Sequence, residues 1–349
     1  MQHIQIIRKT RSIFFQTLMI GLITLSLGEI TLRTYNHYIP SFVFYSESDY
    51  RWRGKPFADD WDFKLNSYGF KDEEFSEKKG NAYRILGLGD SFAFGVVPYK
   101  YNYLTLIDSL LDQQNTNVEV FNMGIPAIGP PDYLSLLVKE GLAFQPDMVL
   151  LSFFTGNDFN ESRKRKLYEY SYVASLLHYI INVRTKYEGK IIHGKKQYCD
   201  ECPSATHEEF FKIERERSLI YQEGNNQFPE MLDRALYYLK TIEKICRKKD
   251  IDFVVVIIPD ELQINQDLWR EIKASFPDRE SDKWDITLPN RMLSNELDKL
   301  GIDNIDLYKY FAGASSQKLY RTRNTHWNIA GNKLAADVIE EYIQKYLEN

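Results

Sequence analysis

Four short stretches of this sequence carry residue types that could do chemistry together. Ser91 closes Gly89-Asp90-Ser91, directly after the apolar Arg84-Ile-Leu-Gly-Leu88. Gly124 ends Asn122-Met-Gly, Gly156-Asn157-Asp158 follows a second apolar run, and His326 stands within Asn324-Thr-His-Trp-Asn328. A serine hydroxyl attacks a carbonyl only when a neighbouring base takes its proton, and imidazole suits that task near neutral pH. The tetrahedral intermediate carries an oxyanion, and each preorganised donor aimed at it contributes on the order of 100- to 1000-fold in rate. The amides of Ser91 and Gly124 and the side chain of Asn157 could supply three such donors. Of the six histidines, His3 precedes an apolar segment, His37 lies in a linker, and His178, His193 and His207 fall in an inserted region. Only His326 stands at a loop-to-helix junction of the main pattern. The chemistry these groups imply is acyl transfer through Ser91 with His326 as general base.

The elements that must position them alternate along the chain. Strands are predicted at Arg84–Leu88, Val118–Phe121, Asp147–Phe154, Phe253–Ile258 and Ile305–Leu307 from short apolar runs bounded by turn residues. Helical spacing falls at Tyr103–Leu111, Tyr133–Leu142, Glu230–Lys248, Arg291–Leu300 and Ala330–Leu347. Continuous apolar strands alternating with helices predict an α/β fold, a doubly wound parallel sheet of flavodoxin-like order with helices on both faces. In such sheets ligands bind at the carboxyl ends of the strands. Ser91, Gly124 and Asn157 all follow strand ends. Residues 160–227 interrupt the alternation. They open with the basic Arg163-Lys-Arg-Lys166, read as a solvated face, and continue with a helix through Leu176, Leu177, Ile180 and Ile181. The reading is a helical insertion, serving as a lid or a membrane-facing cap.

Gly89-Asp90-Ser91, Gly124, Gly156-Asn157-Asp158 and His326 occur in the order and approximate spacing of the four blocks of the SGNH (GDSL) hydrolase family, which this chain resembles over roughly residues 66 to 345. The resemblance implies a flavodoxin-like sheet and cleavage of esters, with no cofactor and no metal. Asn66-Ser-Tyr-Gly-Phe70 and the His-Trp-Asn ending resemble bacterial envelope members, for which an O-acylated glycan is the implied substrate. The sequence departs from the family just before the histidine. Where the family places an aspartate, this chain has Asn324 and Arg323. An asparagine oxygen can fix the imidazole tautomer but lacks the charge that stabilises imidazolium. A carboxylate such as Asp306 or Asp158 could act instead. Three functions remain open on this reading: a serine esterase, a polysaccharide O-acyltransferase using the same residues, and a non-catalytic binding or assembly protein that keeps the fold.

The amino end sets the compartment. Arg8, Lys9 and Arg11 precede an uncharged stretch from Ser12 to Gly28, which Glu29 and Arg33 end. A basic flank before an apolar run is the layout of a signal anchor or a cleaved signal peptide, and either puts the body outside the cytoplasm. The chain therefore divides into residues 1–33 as cytoplasmic tail and transmembrane anchor, 34–80 as linker and edge segment, and 81–349 as the hydrolase domain with its insertion 160–227. A net charge of −5 gives no reason to expect a nucleic-acid partner. The 24 Tyr and 21 Phe can stack on sugars or fill cores, and composition does not separate the two. Of three cysteines, Cys199 and Cys202 form a C-x-x-C that is read as a local disulfide or, with His193 and His207, a zinc site. Cys246 sits in a helical pattern as a core residue.

Overall fold

The computed structural model describes residues 2–38, 54–76, 80–114, 116–161, 170–182, 193–276 and 283–348. The basic quartet 163–166 lies outside them. The chain forms two units, Met1–Asp49 with Lys164–Lys186, and Tyr50–Arg163 with Tyr187–Asn349.

In the first unit, one helix runs Gln2–Tyr38 and a second Tyr172–Asn182. The stretch Arg11–Tyr38 is long and apolar enough to cross a membrane, and its apolar side chains are exposed. Glu29 joins the two helices. Its carboxylate accepts from the Ser171 hydroxyl (2.9 Å) and from the amides of Tyr172 and Val173 (both 3.0 Å), capping the second helix, and pairs with Arg33 at 2.6 Å. The second helix leaves Leu177, Ile180 and Ile181 exposed.

The second unit is built on β1 (Tyr83–Leu88), α1 (Ser91–Phe94), α2 (Tyr103–Gln113), β2 (Val118–Asn122), α3 (Pro130–Lys139) and β3 (Met148–Phe154). It continues with α4 (His207–Arg217), α5 (Phe228–Lys248), β4 (Asp252–Ile258), α6 (Leu288–Lys299), β5 (Asp303–Asp306) and α7 (Ile329–Leu347). The five strands pair in parallel in the order β2-β1-β3-β4-β5, the flavodoxin-like order expected from the sequence. Every residue of β3 and all but the first of β4 are buried, because helices cover both faces of the sheet centre. The strand order reverses between β1 and β3, the switch point at which such sheets bind ligands.

Three boundaries differ from expectation. The helix after β2 begins at Pro130, because Pro130 and Pro131 fit a first turn that needs no amide donor, and it stops at Lys139. A tight 3₁₀ turn, Gly141–Phe144, follows it. β5 ends at Asp306, whose carboxylate accepts from the Tyr308 amide and starts a short helix instead. Within 54–76 the chain adds no edge strand to the sheet. It makes a small hairpin, Asp59–Asp60 with Phe63–Lys64, and then a turn in which Asn66 Oδ1 accepts from Tyr68 and Phe70 amides around Gly69 at φ 80°. That turn delivers Phe70, Lys71 and Asp72 to buried positions.

Candidate active site

Ser91 is the first residue of α1, immediately past β1. Asp90, fully buried, caps the helix by accepting from the Phe92 amide at 2.8 Å. The Ser91 amide therefore points out of the helix start with no intrahelical acceptor. The loop after β2 crosses this turn so closely that a Cβ at Gly124 would lie 2.1 Å from the Phe94 nitrogen. Only glycine fits there.

His326 meets the serine from the opposite side. Its Nε2 lies 2.7 Å from Ser91 Oγ. Its Nδ1 lies 2.8 Å from both the backbone oxygen and the side-chain Oδ1 of Asn324. Neither oxygen can donate, so the proton belongs on Nδ1 and the Nε2 lone pair is left to accept the serine proton. The Asn324 amide nitrogen donates to the Ser204 hydroxyl, which turns its oxygen towards the imidazole. Burial pushes the His326 pKa down from 6.5 to about 3; the Asn324 carbonyl works against this, and the charges of Arg217, Arg321 and His193 add to it. The other carboxylates considered as orienters are committed elsewhere. Asp158 accepts from Tyr133 Oη (3.0 Å) and the Phe154 amide (2.9 Å), and Asp306 from Asn290 Nδ2 (2.8 Å).

The expected oxyanion donors differ in availability. Asn157 follows β3 across the switch point, and its Nδ2 donates to Asp90 Oδ2 at 3.3 Å, which leaves its second amide hydrogen to point elsewhere. The Gly124 amide donates to Asn122 Oδ1 at 2.9 Å, closing a turn that residues 122–124 form locally.

Several neighbours carry no motif. His193, set aside above as part of the insertion, has its Nδ1 at 2.6 Å from Asp60 Oδ1 and its ring stacked 3.8 Å from Trp61. Asp60 also pairs with Lys71 at 2.7 Å, both buried, and Lys71 donates to the carbonyls of Gly95 and Val97, bracing the chain just after α1. Burial, against the pull of Asp60, moves the Lys71 pKa down to about 8. The Arg321 guanidinium donates to the carbonyls of Val96 and Cys199 and lies 5.1 Å over the Tyr198 ring. Cys199 is disulfide-bonded to Cys202, which decides between the two readings of that pair. No group of three metal-ligating side chains occurs among the described residues. Asp60, His193 and Arg321 are far apart in sequence, and nothing in their local spacing signals that they share a region.

No protein-family model matches the chain, and no curated protein sequence matches it. Among solved structures it is similar to an acetyl xylan esterase, AlAXEase, at 16% identity over 74% of this chain and 99% of that one, with a TM-score of 0.44. It is also similar to TesA (10% identity, 75% and 98% covered, TM-score 0.44) and to a GDSL-like lipase from Bacteroides thetaiotaomicron (10%, 78% and 92%, TM-score 0.40). With likeness at that level, the chemistry rests on the geometry of the site itself.

Proposed function

We propose that the protein is a serine esterase, with Ser91 as nucleophile, His326 as general base and Asn324 as the group that orients the imidazole. The observation that carries this reading is the continuous chain from Ser91 Oγ to His326 Nε2 (2.7 Å) and from Nδ1 to Asn324 Oδ1 (2.8 Å). In the first half-reaction Ser91 Oγ bonds to the ester carbonyl carbon while its proton passes to Nε2. The oxyanion that forms is met by the Ser91 amide and Asn157 Nδ2. Nε2–H then protonates the departing alcohol as the ester C–O bond breaks. Water deacylates the enzyme by the same steps in reverse, again giving its proton to Nε2.

The substrate we favour is an ester-linked acyl group on an extracytoplasmic molecule, an O-acylated glycan in particular. Support for the compartment comes from the helix at the amino end and from the exposed Leu177, Ile180 and Ile181 of the helix packed on it, which suit a lipid boundary. The Cys199–Cys202 disulfide suits an oxidising compartment. The full chain in detergent is expected to hydrolyse p-nitrophenyl acetate, and Ser91→Ala to lose at least about a thousandfold in kcat. Equal turnover by the two proteins would end this reading.

A further inference from the structure

His326 is held by an unusual piece of backbone. Its amide donates to the Asn324 carbonyl at 2.6 Å, two residues back, and the residue between them, Thr325, has φ 62°. This is the left-handed γ-turn, a rare and strained conformation, with a β-branched residue at its centre. Arg323 is left-handed as well, at φ 50°. Such positions are costly and persist only where the surroundings impose them.

The surroundings here are specific. Thr325 Oγ1 donates to Glu214 Oε1 at 2.6 Å, and Arg217 donates both to Thr325 Oγ1 (2.9 Å) and to Glu214 Oε1 (3.0 Å). Glu214, on α4, is fully buried, as is Asp260 beyond β4. Glu214 Oε2 and Asp260 Oδ2 are both buried without a donor, and the two carboxyls interact directly. Burial, with the negative charge of Asp260, pushes the Glu214 pKa well above the usual range despite Arg217. A proton held by Glu214, the direction in which burial drives it, gives these two neighbouring carboxyls a donor between them.

Asp260 touches the other half of the site. A Cβ at Gly156 would lie 2.3 Å from Asp260 Oδ2, so this oxygen packs directly on the backbone that precedes Asn157. Thr155 is tied to the same turn, since its hydroxyl donates to Gln263 Oε1, which also accepts from the Asp260 amide. We infer that Glu214 and Asp260 form a positioning pair for the reaction, holding the His326 loop through Thr325 and the Asn157 loop through Gly156. In a site whose third member is a neutral Asn324, the buried carboxyls act by geometry on the base and on the oxyanion donor together. The inference rests on the esterase reading for its catalytic meaning.

The test separates the two. In the full chain, Thr325→Val keeps the branched shape and deletes only the hydroxyl, while Thr325→Ser keeps the hydroxyl. Glu214→Gln reproduces the protonated carboxyl, with an oxygen for Thr325 and Arg217 and an N–H for Asp260, whereas Glu214→Ala reproduces neither. With p-nitrophenyl acetate, Thr325→Val and Glu214→Ala are expected to lose about 100-fold in kcat with KM within about threefold, the scale of a small misplacement of a reacting group. Thr325→Ser and Glu214→Gln are expected to restore kcat to within about fivefold of the parent. A second readout needs no catalysis: diethyl pyrocarbonate modification of His326, followed by mass spectrometry, is expected to speed up several-fold in Thr325→Val and Glu214→Ala. Should the parent prove inert towards esters, the esterase reading falls, while faster modification still supports the positioning pair. Unchanged modification of His326 in Thr325→Val overturns it, as does a Glu214→Gln protein as impaired as Glu214→Ala. Thr325→Val covers the case in which Glu214→Ala does not fold.

Discussion

The Ser91 turn and the His326 loop carry the proposed nucleophile and base, and they are built in opposite ways. Ser91 opens a short helix whose cap, Asp90, is the residue before it. No residue from Gly89 to Phe94 has a left-handed backbone. His326 sits instead on two left-handed residues, Arg323 and Thr325, and is steadied by groups more than a hundred residues away, Glu214, Arg217 and Ser204. A nucleophile at the end of a strand is positioned by local sequence. A base in an irregular loop is positioned by whatever packs around it, and this makes the base the more fragile half.

The largest effect is expected at Asn157, which is tied to the Ser91 turn through Asp90. Asn157→Ala removes the proposed donor to the oxyanion and is expected to lower kcat by about 100- to 1000-fold with little change in KM. A loss confined to KM would remove Asn157 from transition-state stabilisation. Next in size is the orienting residue. Asn324→Asp places a negative charge on Nδ1–H and is expected to raise kcat about tenfold, because imidazolium formation becomes easier. The same change should move the acid limb of kcat/KM upward.

That limb is itself a prediction. With the pKa of His326 lowered to about 3, the base stays neutral through mildly acidic pH. Labelling of Ser91 by a fluorophosphonate is expected to persist at pH 5, below the ordinary histidine value. A limb centred near 6.5 would mean that the imidazole is not desolvated as the structure has it. Stability carries the same sign. The folded state does not take up the proton that the unfolded histidine takes below 6.5, so this contribution is complete above 6.5 and is lost as pH falls towards 3. His326→Gln should flatten that part of the stability profile. The smallest effect belongs to the Ser91 turn. Asp90→Ala deletes the cap and is expected to cost about 1 kcal/mol in denaturant unfolding, with an added rate loss from freeing Asn157.

Much of the fold was legible because the strands of a doubly wound sheet announce themselves. Met148–Phe154, with Ser152 as its one polar residue, and Phe253–Ile258 are apolar runs for the physical reason that both of their faces are covered. Ser91 and Asn157 were legible for the same reason, since each stands where such a run stops. Gly124 was legible only as a strand-end glycine; that its backbone crosses the Ser91 helix, and that its amide meets Asn122 Oδ1, are seen only in the fold. His193 falls in the inserted region of the sequence, although Asp60 and Trp61, far from it in the chain, hold its ring.

The sequence by itself determined the parallel α/β fold and marked Ser91 and His326 as candidate nucleophile and base, because hydrophobic period and strand-end position are local properties. The tertiary structure alone decided which group meets the second nitrogen of His326, and it chose Asn324 over Asp158 and Asp306 by giving those carboxylates other donors. It also decided that Glu214 and Asp260 lie together, each with one buried oxygen lacking a donor, behind the turn that carries His326. Contacts of that kind join residues distant in the chain through burial and desolvation, and those forces exist only once the chain has folded.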